Sequence, residues 1–200
     1  RTILAMKTWL LEILYNPYTG AKLREESDNL LLDTNNAAFP VQGDVPLFLD
    51  AQDEKISEQD FHYINHYTID AEVFDYYRDR NDKLEQVSVS LLRRSIIRQI
   101  PRNTRFLLDV GCGCAYIAKH FINSGTRVVS LDVAQANAEK ALKKYPSDNH
   151  AAVVADVFAL PFKENTFDCI VASEIIEHTV DPHAFVAALK RVLKPGGTLI

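Results

Sequence analysis

The apolar positions of this chain fall into three patterns, and each predicts different elements. From residue 6 to 50 the apolar runs are short and broken by turn formers. Trp9 to Leu14 is apolar enough to be buried, and Asn16-Pro17 and Thr19-Gly20 supply turn chemistry. Leu30-Leu31-Leu32 reads as a strand and Asp33 to Asn36 as a turn. Phe39-Pro40-Val41 and Val45 to Leu49 read as extended segments around the turn Gln42-Gly43-Asp44. Their prolines point to edge strands. This stretch is expected to be a small β-rich module. From 51 to 104 the chain is first charged and linker-like. Apolar residues then recur at helical spacing between Asp70 and Ile100, and Pro101 stops the helix.

From 105 to 200 the pattern alternates. Short apolar runs at 106–110, 127–131, 151–154 and 167–172 read as buried strands, with a fifth strand opening at Thr198. Between them lie helical stretches at 115–124 and 134–145. Another, at 181–193, is opened by Asp181-Pro182, an acid that accepts orphan amides and a proline suited to a first turn. The alternation predicts an α/β fold on a parallel sheet.

Composition narrows the classes. The chain has 200 residues, 47% of them hydrophobic and 24% charged, an ordinary globular balance. Its net charge of −5 argues against nucleic acid or an anionic membrane as the main partner, although a local basic patch is compatible with it. No apolar run approaches the roughly 18 residues that span a bilayer. The three cysteines, 112, 114 and 169, do not make a disulfide framework, and a reducing cytoplasm is the expected location. Arg1 at one end and an opening strand at the other suggest a fragment of a longer chain.

The informative segment is Leu107-Leu108-Asp109-Val110-Gly111-Cys112-Gly113-Cys114-Ala115, in which a strand runs through a Gly-x-Gly turn into a helix. Gly111 permits the tight turn, and Gly113 lets a ligand approach the backbone. Asp132 closes the second strand, where a carboxylate can accept both hydroxyls of a ribose. Asp156 follows the third strand, in reach of an exocyclic amine. No lysine follows the glycines, so this is not a phosphate-cradling loop. Acids at three strand ends suit a nucleoside that carries positive charge better than a pyrophosphate.

These segments, together with Leu160-Pro161-Phe162, Phe167 to Val171 and Leu193-Lys194-Pro195-Gly196-Gly197-Thr198, resemble the class I S-adenosylmethionine-dependent methyltransferases, most closely the small-molecule branch. The resemblance covers about 105–200. It implies a Rossmann-like parallel sheet of order 3-2-1-4-5, truncated after the fifth strand, with S-adenosyl-L-methionine as cofactor. Asp109 and the Gly111-Cys112-Gly113 backbone would hold the methionine moiety, Asp132 the ribose hydroxyls, and Asp156 with the Val157 amide the adenine, with Val133 as a further cofactor-binding residue. Ser173 would edge the methionine and face the acceptor. Ala115 stands where the family usually has a third glycine. Glu174, Glu177 and His178 are candidates for acceptor chemistry, with a surface turn and a His packed on the sheet as the simpler reading. No catalytic base is named and no metal is expected; in particular, Cys112 and Cys114 lack the further ligands of a metal site.

The amino-terminal stretch, about 10–50, resembles the small zinc-ribbon-like domains often fused to methyltransferases. Positions 16, 19, 33 and 36 have the layout of two C-x-x-C knuckles, but they carry Asn, Thr, Asp and Asn. A ribbon without its metal is the expectation. The domain plan is thus a β-rich module at 6–50, a linker and helical lid at 51–104, and the methyltransferase domain at 105–200. Aromatic residues crowd 61–77 in a position that would cover the cofactor. The arginines at 93, 94, 98, 102 and 105 read as a solvated helix face. The leading expectation is methyl transfer to a small-molecule acceptor. An RNA methyltransferase using those arginines and a non-catalytic methyltransferase-like binding protein are the alternatives. Nucleic acid and membrane are not expected as partners, and oligomeric state is left open. Asp132 is expected to be partly exposed, so that its loss would spare the fold.

Overall fold

The computed structural model describes residues 6–27, 29–49, 83–113, 115–179 and 181–200. The aromatic cluster at 61–77, and the helical lid before residue 83, lie outside the described residues. The larger sheet holds five strands: β5 (Phe106–Val110), β6 (Arg127–Asp132), β7 (His150–Val154), β8 (Phe167–Val171) and β9 (Leu193–Leu199). Their order is β7-β6-β5-β8-β9 and every pair is parallel. This is the expected 3-2-1-4-5 arrangement. The chain steps outward from β5 to β7 and then returns to place β8 on the other side of β5. That reversal opens a crevice beyond the carboxyl ends of β5 and β8.

The strands are buried on both sides, which is why their sequences are nearly continuous apolar runs. Leu107, Val128 and Cys169 face a layer that includes Ile96 of α2 (Lys83–Gln99), Ile100 just past its end, and Ile117 and Ala118 of α3 (Tyr116–Phe121). Leu108, Val129 and Ile170 face the opposite layer, with Phe185 and Leu189 of α5 (Pro182–Val192). Helix α4 (Gln135–Lys144) follows β6. Helix α5 starts as its sequence dictates: Pro182 stands in the first turn and the Asp181 carboxylate accepts from the Ala184 amide at 2.9 Å. The fifth strand differs from expectation. It begins at Leu193, directly after α5, and Pro195-Gly196-Gly197 forms a bulge within it. Leu193 pairs with Phe167, and pairing resumes with Thr198 opposite Cys169. Gly196, at φ +76°, takes the bend.

The smaller sheet is antiparallel, in the order β1 (Leu23–Ser27), β2 (Leu30–Asp33), β3 (Ala38–Gln42), β4 (Val45–Pro46). A short helix α1 (Thr8–Leu11) precedes it. Pro46 lies on the edge strand, but Pro40 lies in the inner strand β3, where its carbonyl still accepts from the Leu47 amide at 2.9 Å. The module joins the larger sheet through backbone hydrogen bonds. Leu47 pairs in parallel with Val154. The Phe48 amide donates to Val154 at 2.8 Å, Tyr15 to Pro161 at 2.9 Å and Lys163 to Ile13 at 2.9 Å. Trp9, Leu10, Leu14 and Phe48 share one core with Val129, Val153 and Phe162. The two sheets are therefore one packed unit at this seam. No described helix is long and apolar enough to cross a membrane.

Candidate cofactor-binding site

The glycine loop leaves β5 in left-handed backbone: Gly111 has φ +65° and Gly113 φ +45°. The two glycines serve different ends. A Cβ on Gly111 would meet the end of the Ile175 side chain, which packs on this position from the segment after β8 and would have to shift, and the left-handed backbone would strain any other residue there. A Cβ on Gly113 would meet nothing among the described residues within 4 Å, so its outer side is open to a ligand. Ala115 continues the loop at φ +51°, fully buried. This is the conformation a third glycine would adopt without strain.

Asp132 sits beside this loop, as its place at the end of β6 implies, but it is buried, with 6% exposure. Its Oδ2 accepts from the Gly113 amide at 3.0 Å and from Asn137 Nδ2 at 3.2 Å, and its Oδ1 from the Ala134 amide at 2.9 Å. The Cys112 thiol lies 4.0 Å from Oδ2. The expectation of a partly exposed, structurally dispensable carboxylate is therefore corrected: Asp132 ties the glycine loop to the start of α4. Burial pushes its pKa up, while the amides of Ala134 and Gly113 and the Asn137 side chain work the other way. Asn137 is a site residue that the sequence reading missed. It is one polar residue among several in α4, and only the fold shows that it meets Asp132.

Asp109 is the opposite case. It has 5% exposure, and no described residue donates a hydrogen bond to its carboxyl group. Burial, and then the neighbouring Asp132 charge, push its pKa up to about 8. A buried acid without a donor is costly unless a ligand supplies one.

Asp156 follows β7 and its Oδ1 caps the turn Val157–Ala159 through the Phe158 amide at 2.9 Å. Val133 and Val157 are half-buried beside Asp132 and Asp156, and Ser173 is half-buried just past β8. The fold thus gathers Asp109, Gly111, Cys112, Gly113, Asp132, Val133, Asp156, Val157 and Ser173 at the carboxyl ends of four adjacent strands. Glu174 is exposed at φ +57°, a left-handed turn that delivers Ile175 onto Gly111. Glu177 and His178 are exposed on a short turn, so His178 is not packed into the sheet.

The second constellation lies in the small module. Asp33 is fully buried at the end of β2. It accepts from Asn16 Nδ2 at 2.8 Å, from the amides of Asn35 and Ala37 at 2.8 Å each, and from Thr19 Oγ1 at 3.5 Å. Asn16 Oδ1 in turn accepts from the amides of Tyr18 and Thr19 at 2.9 and 3.2 Å. Three of the four knuckle positions are thereby brought together by hydrogen bonds. Among the described residues no group of three or more His, Cys, Asp or Glu is placed to hold a metal ion.

Residues 108–200 match the family described as methyltransferase domain. This region is a class I S-adenosylmethionine-dependent methyltransferase domain. A ubiquinone biosynthesis O-methyltransferase of Bradyrhizobium sp. (strain ORS 278) is 28% identical over 130 residues, which are 59% of this chain and 50% of that protein. The human mitochondrial arginine-hydroxylase NDUFAF5 is 35% identical over 131 residues, 64% of this chain and 34% of that one. A solved structure from Methanococcus maripaludis, assigned to the S-adenosyl-L-methionine-dependent methyltransferases, has a TM-score of 0.55 at 22% identity, covering 66% of this chain and 62% of that one. It shows the shared fold. The chain spans half the length of the Bradyrhizobium relative or less of the human one.

S-adenosylmethionine is the cofactor of this family, and the site fits it. Asp109 is a buried acid with no donor among the described residues, and the open side of Gly113 leaves room for a ligand against the backbone. Two further acids, Asp132 and Asp156, stand at the ends of the neighbouring strands.

Proposed function

We propose that this methyltransferase transfers a methyl group to a small organic acceptor and that Asp109 is the anchor of the cofactor's cationic end. The carrying observation is the buried Asp109, whose carboxyl has no donor among the described residues, beside the open face of Gly113. The cofactor supplies an electrophilic methyl on a sulfonium, ready for in-line displacement. The residues of this chain bind and orient. Asp109 offers a negative charge in a site of low polarity, where an opposite charge counts for most. Asp132, held rigid by three donors, presents its remaining lone pairs to a ribose. Asp156 and the Val157 amide form the adenine edge. Ser173 and the turn that follows it stand on the acceptor side, with Ile175 closing the crevice over Gly111. Alignment and exclusion of water supply much of the rate in such a displacement, so no dedicated base is assigned.

The small-molecule reading is supported by the relative named for ubiquinone biosynthesis and by the acidic character of the pocket and chain. The small module reads as a ribbon in which the Asn16–Asp33 hydrogen bond stands in for the metal. Calorimetry with S-adenosylmethionine, followed by transfer from methyl-tritiated cofactor into an organic extract, an RNA fraction and a protein fraction, tests the proposal. Label in the organic fraction is the expected result. Absence of cofactor binding would overturn the reading, and label confined to RNA would move the acceptor to the alternative class.

A further inference from the structure

We propose that the outer face of α2, continued through the Pro101–Arg105 turn, docks on an anionic membrane surface. Between Glu85 and Asp109 the chain carries five arginines, at 93, 94, 98, 102 and 105, and no acid. Ile96 and Ile100 are buried under the sheet, and Arg93 lies over the Tyr116 ring at 4.8 Å. The other face is turned outward. Leu91 and Leu92 are 59% and 41% exposed, and Arg94, Arg98 and Arg102 are exposed with them. None of these three arginines forms an ion pair among the described residues.

A solvated helix face accounts for the arginines but not for two adjacent exposed leucines among them. Basic residues interleaved with large aliphatic ones are the composition of a helix that lies in the lipid interface. An RNA platform would use the same charges but would add aromatic side chains for base stacking, and this face has none in its described part. The rest of the molecule sharpens the choice of orientation. The chain has a net charge of −5 overall, so this acid-free stretch of five arginines stands out as the part drawn to anionic lipid. Arg93 rests on Tyr116, at the start of the helix that follows the glycine loop, so the Arg93 end of the docking face adjoins the cofactor end of the sheet, while the Pro101–Arg105 turn lies at the opposite edge, where β5 begins. The purpose of this placement rests on the small-molecule reading above: a lipophilic acceptor could reach the crevice from the bilayer.

The test is flotation of the full chain with vesicles of phosphatidylcholine alone, or of phosphatidylcholine with phosphatidylglycerol, and in parallel with poly(U). Two double variants are compared, Arg94→Gln/Arg98→Gln and Leu91→Ser/Leu92→Ser, with a thermal melt of each to show that it folds. The native chain is expected to float only with the phosphatidylglycerol vesicles. Each arginine near the surface contributes about fivefold in partitioning, so the first pair should weaken it roughly twenty- to thirtyfold. The leucine pair should weaken it by about tenfold or more. No binding to anionic vesicles overturns the proposal, as does binding that survives either double substitution in a folded variant. Capture of poly(U) in place of vesicles also overturns it and makes the face a nucleic-acid platform. Methyl transfer is not read in this experiment, so its failure leaves the proposed activity standing.

Discussion

Two buried aspartates, one in each sheet, show how differently this molecule treats a carboxyl group. Asp33, in the antiparallel module, is fully buried and collects donors from Asn16, Ala37, Asn35 and Thr19. Burial pushes its pKa up, but those hydrogen bonds outweigh burial and hold it below the ordinary value. Asp109, in the parallel sheet, is almost as buried and has no donor among the described residues, and its pKa rises to about 8. The first is an acid the fold has satisfied by itself. The second is an acid that the described part of the fold leaves without a donor, and it is the one we propose the cofactor satisfies. Burial alone does not tell structural from functional carboxylates; the donor list does.

Removing Asp33 should have the largest effect on the fold. Asp33→Ala leaves Asn16 Nδ2 and the amides of Asn35 and Ala37 without their acceptor in a buried turn, and the melting temperature is expected to fall by several degrees or more. The two acids should also pull the stability of the empty protein in opposite directions with pH. Asp33, with its lowered pKa, contributes stability that is full above the ordinary carboxylate range and is lost as pH falls through its folded pKa. Asp109, with its raised pKa, contributes stability that is full below about pH 4 and is lost as pH rises through about 8. Denaturant titrations of the two single Asn variants across this range would separate the two slopes. Identical slopes would break the comparison.

Asp132→Ala comes next, because Asp132 belongs to both kinds. Its hydrogen bonds from Gly113, Ala134 and Asn137 make it structural, and its place beside Gly113 puts it where we propose that the ribose binds. Stability is expected to drop by about 1–3 kcal/mol as those donors lose their acceptor, and cofactor affinity by at least tenfold. Asp109→Asn should instead spare stability at neutral pH and weaken S-adenosylmethionine binding roughly ten- to hundredfold. Affinity of the native chain should rise with pH toward about 8, because only the ionised acid attracts the cation, and the Asn variant should lose that rise. Calorimetry at several pH values reads both.

Much of this site was legible because its signals are local. A buried strand, a Gly-x-Gly turn and an acid at the next strand end are each written within a few residues, and the order 3-2-1-4-5 follows from the family they resemble. What was not legible depends on partners far apart in the chain. Strand β1, Leu-Arg-Glu-Glu-Ser, has a single buried apolar residue, Leu23, and is a strand because Leu30 to Asp33 pair with it. The fifth strand starts at Leu193 because Phe167 is there to pair with it. The burial of Asp132 depends on Asn137 and Gly113, and the packing over Gly111 on Ile175. The turn formers at 16, 19 and 33 were visible, but their convergence on one carboxylate was not.

The smallest expected effect tests whether the glycine loop is tight for the ligand's sake or for the fold's. Ala115 is buried at φ +51°, where an L side chain costs about 1–2 kcal/mol relative to glycine. Ala115→Gly would release that strain. It would also remove one buried methyl group, worth about 0.8 kcal/mol, and add unfolded-chain entropy worth about 0.4–1 kcal/mol. The gains and losses nearly cancel, so stability is expected to change by less than about 1 kcal/mol in a denaturant titration. Gly113 and Asp132 need not move, so cofactor affinity should stay within about threefold of the native value. Ala115→Val keeps the strained backbone and adds two methyl groups to a fully buried site, with a cost of roughly 1–3 kcal/mol. A large gain in affinity from the glycine variant would show that Ala115 holds the loop away from its ligand, and would place this residue with Asp109 on the functional side of the comparison.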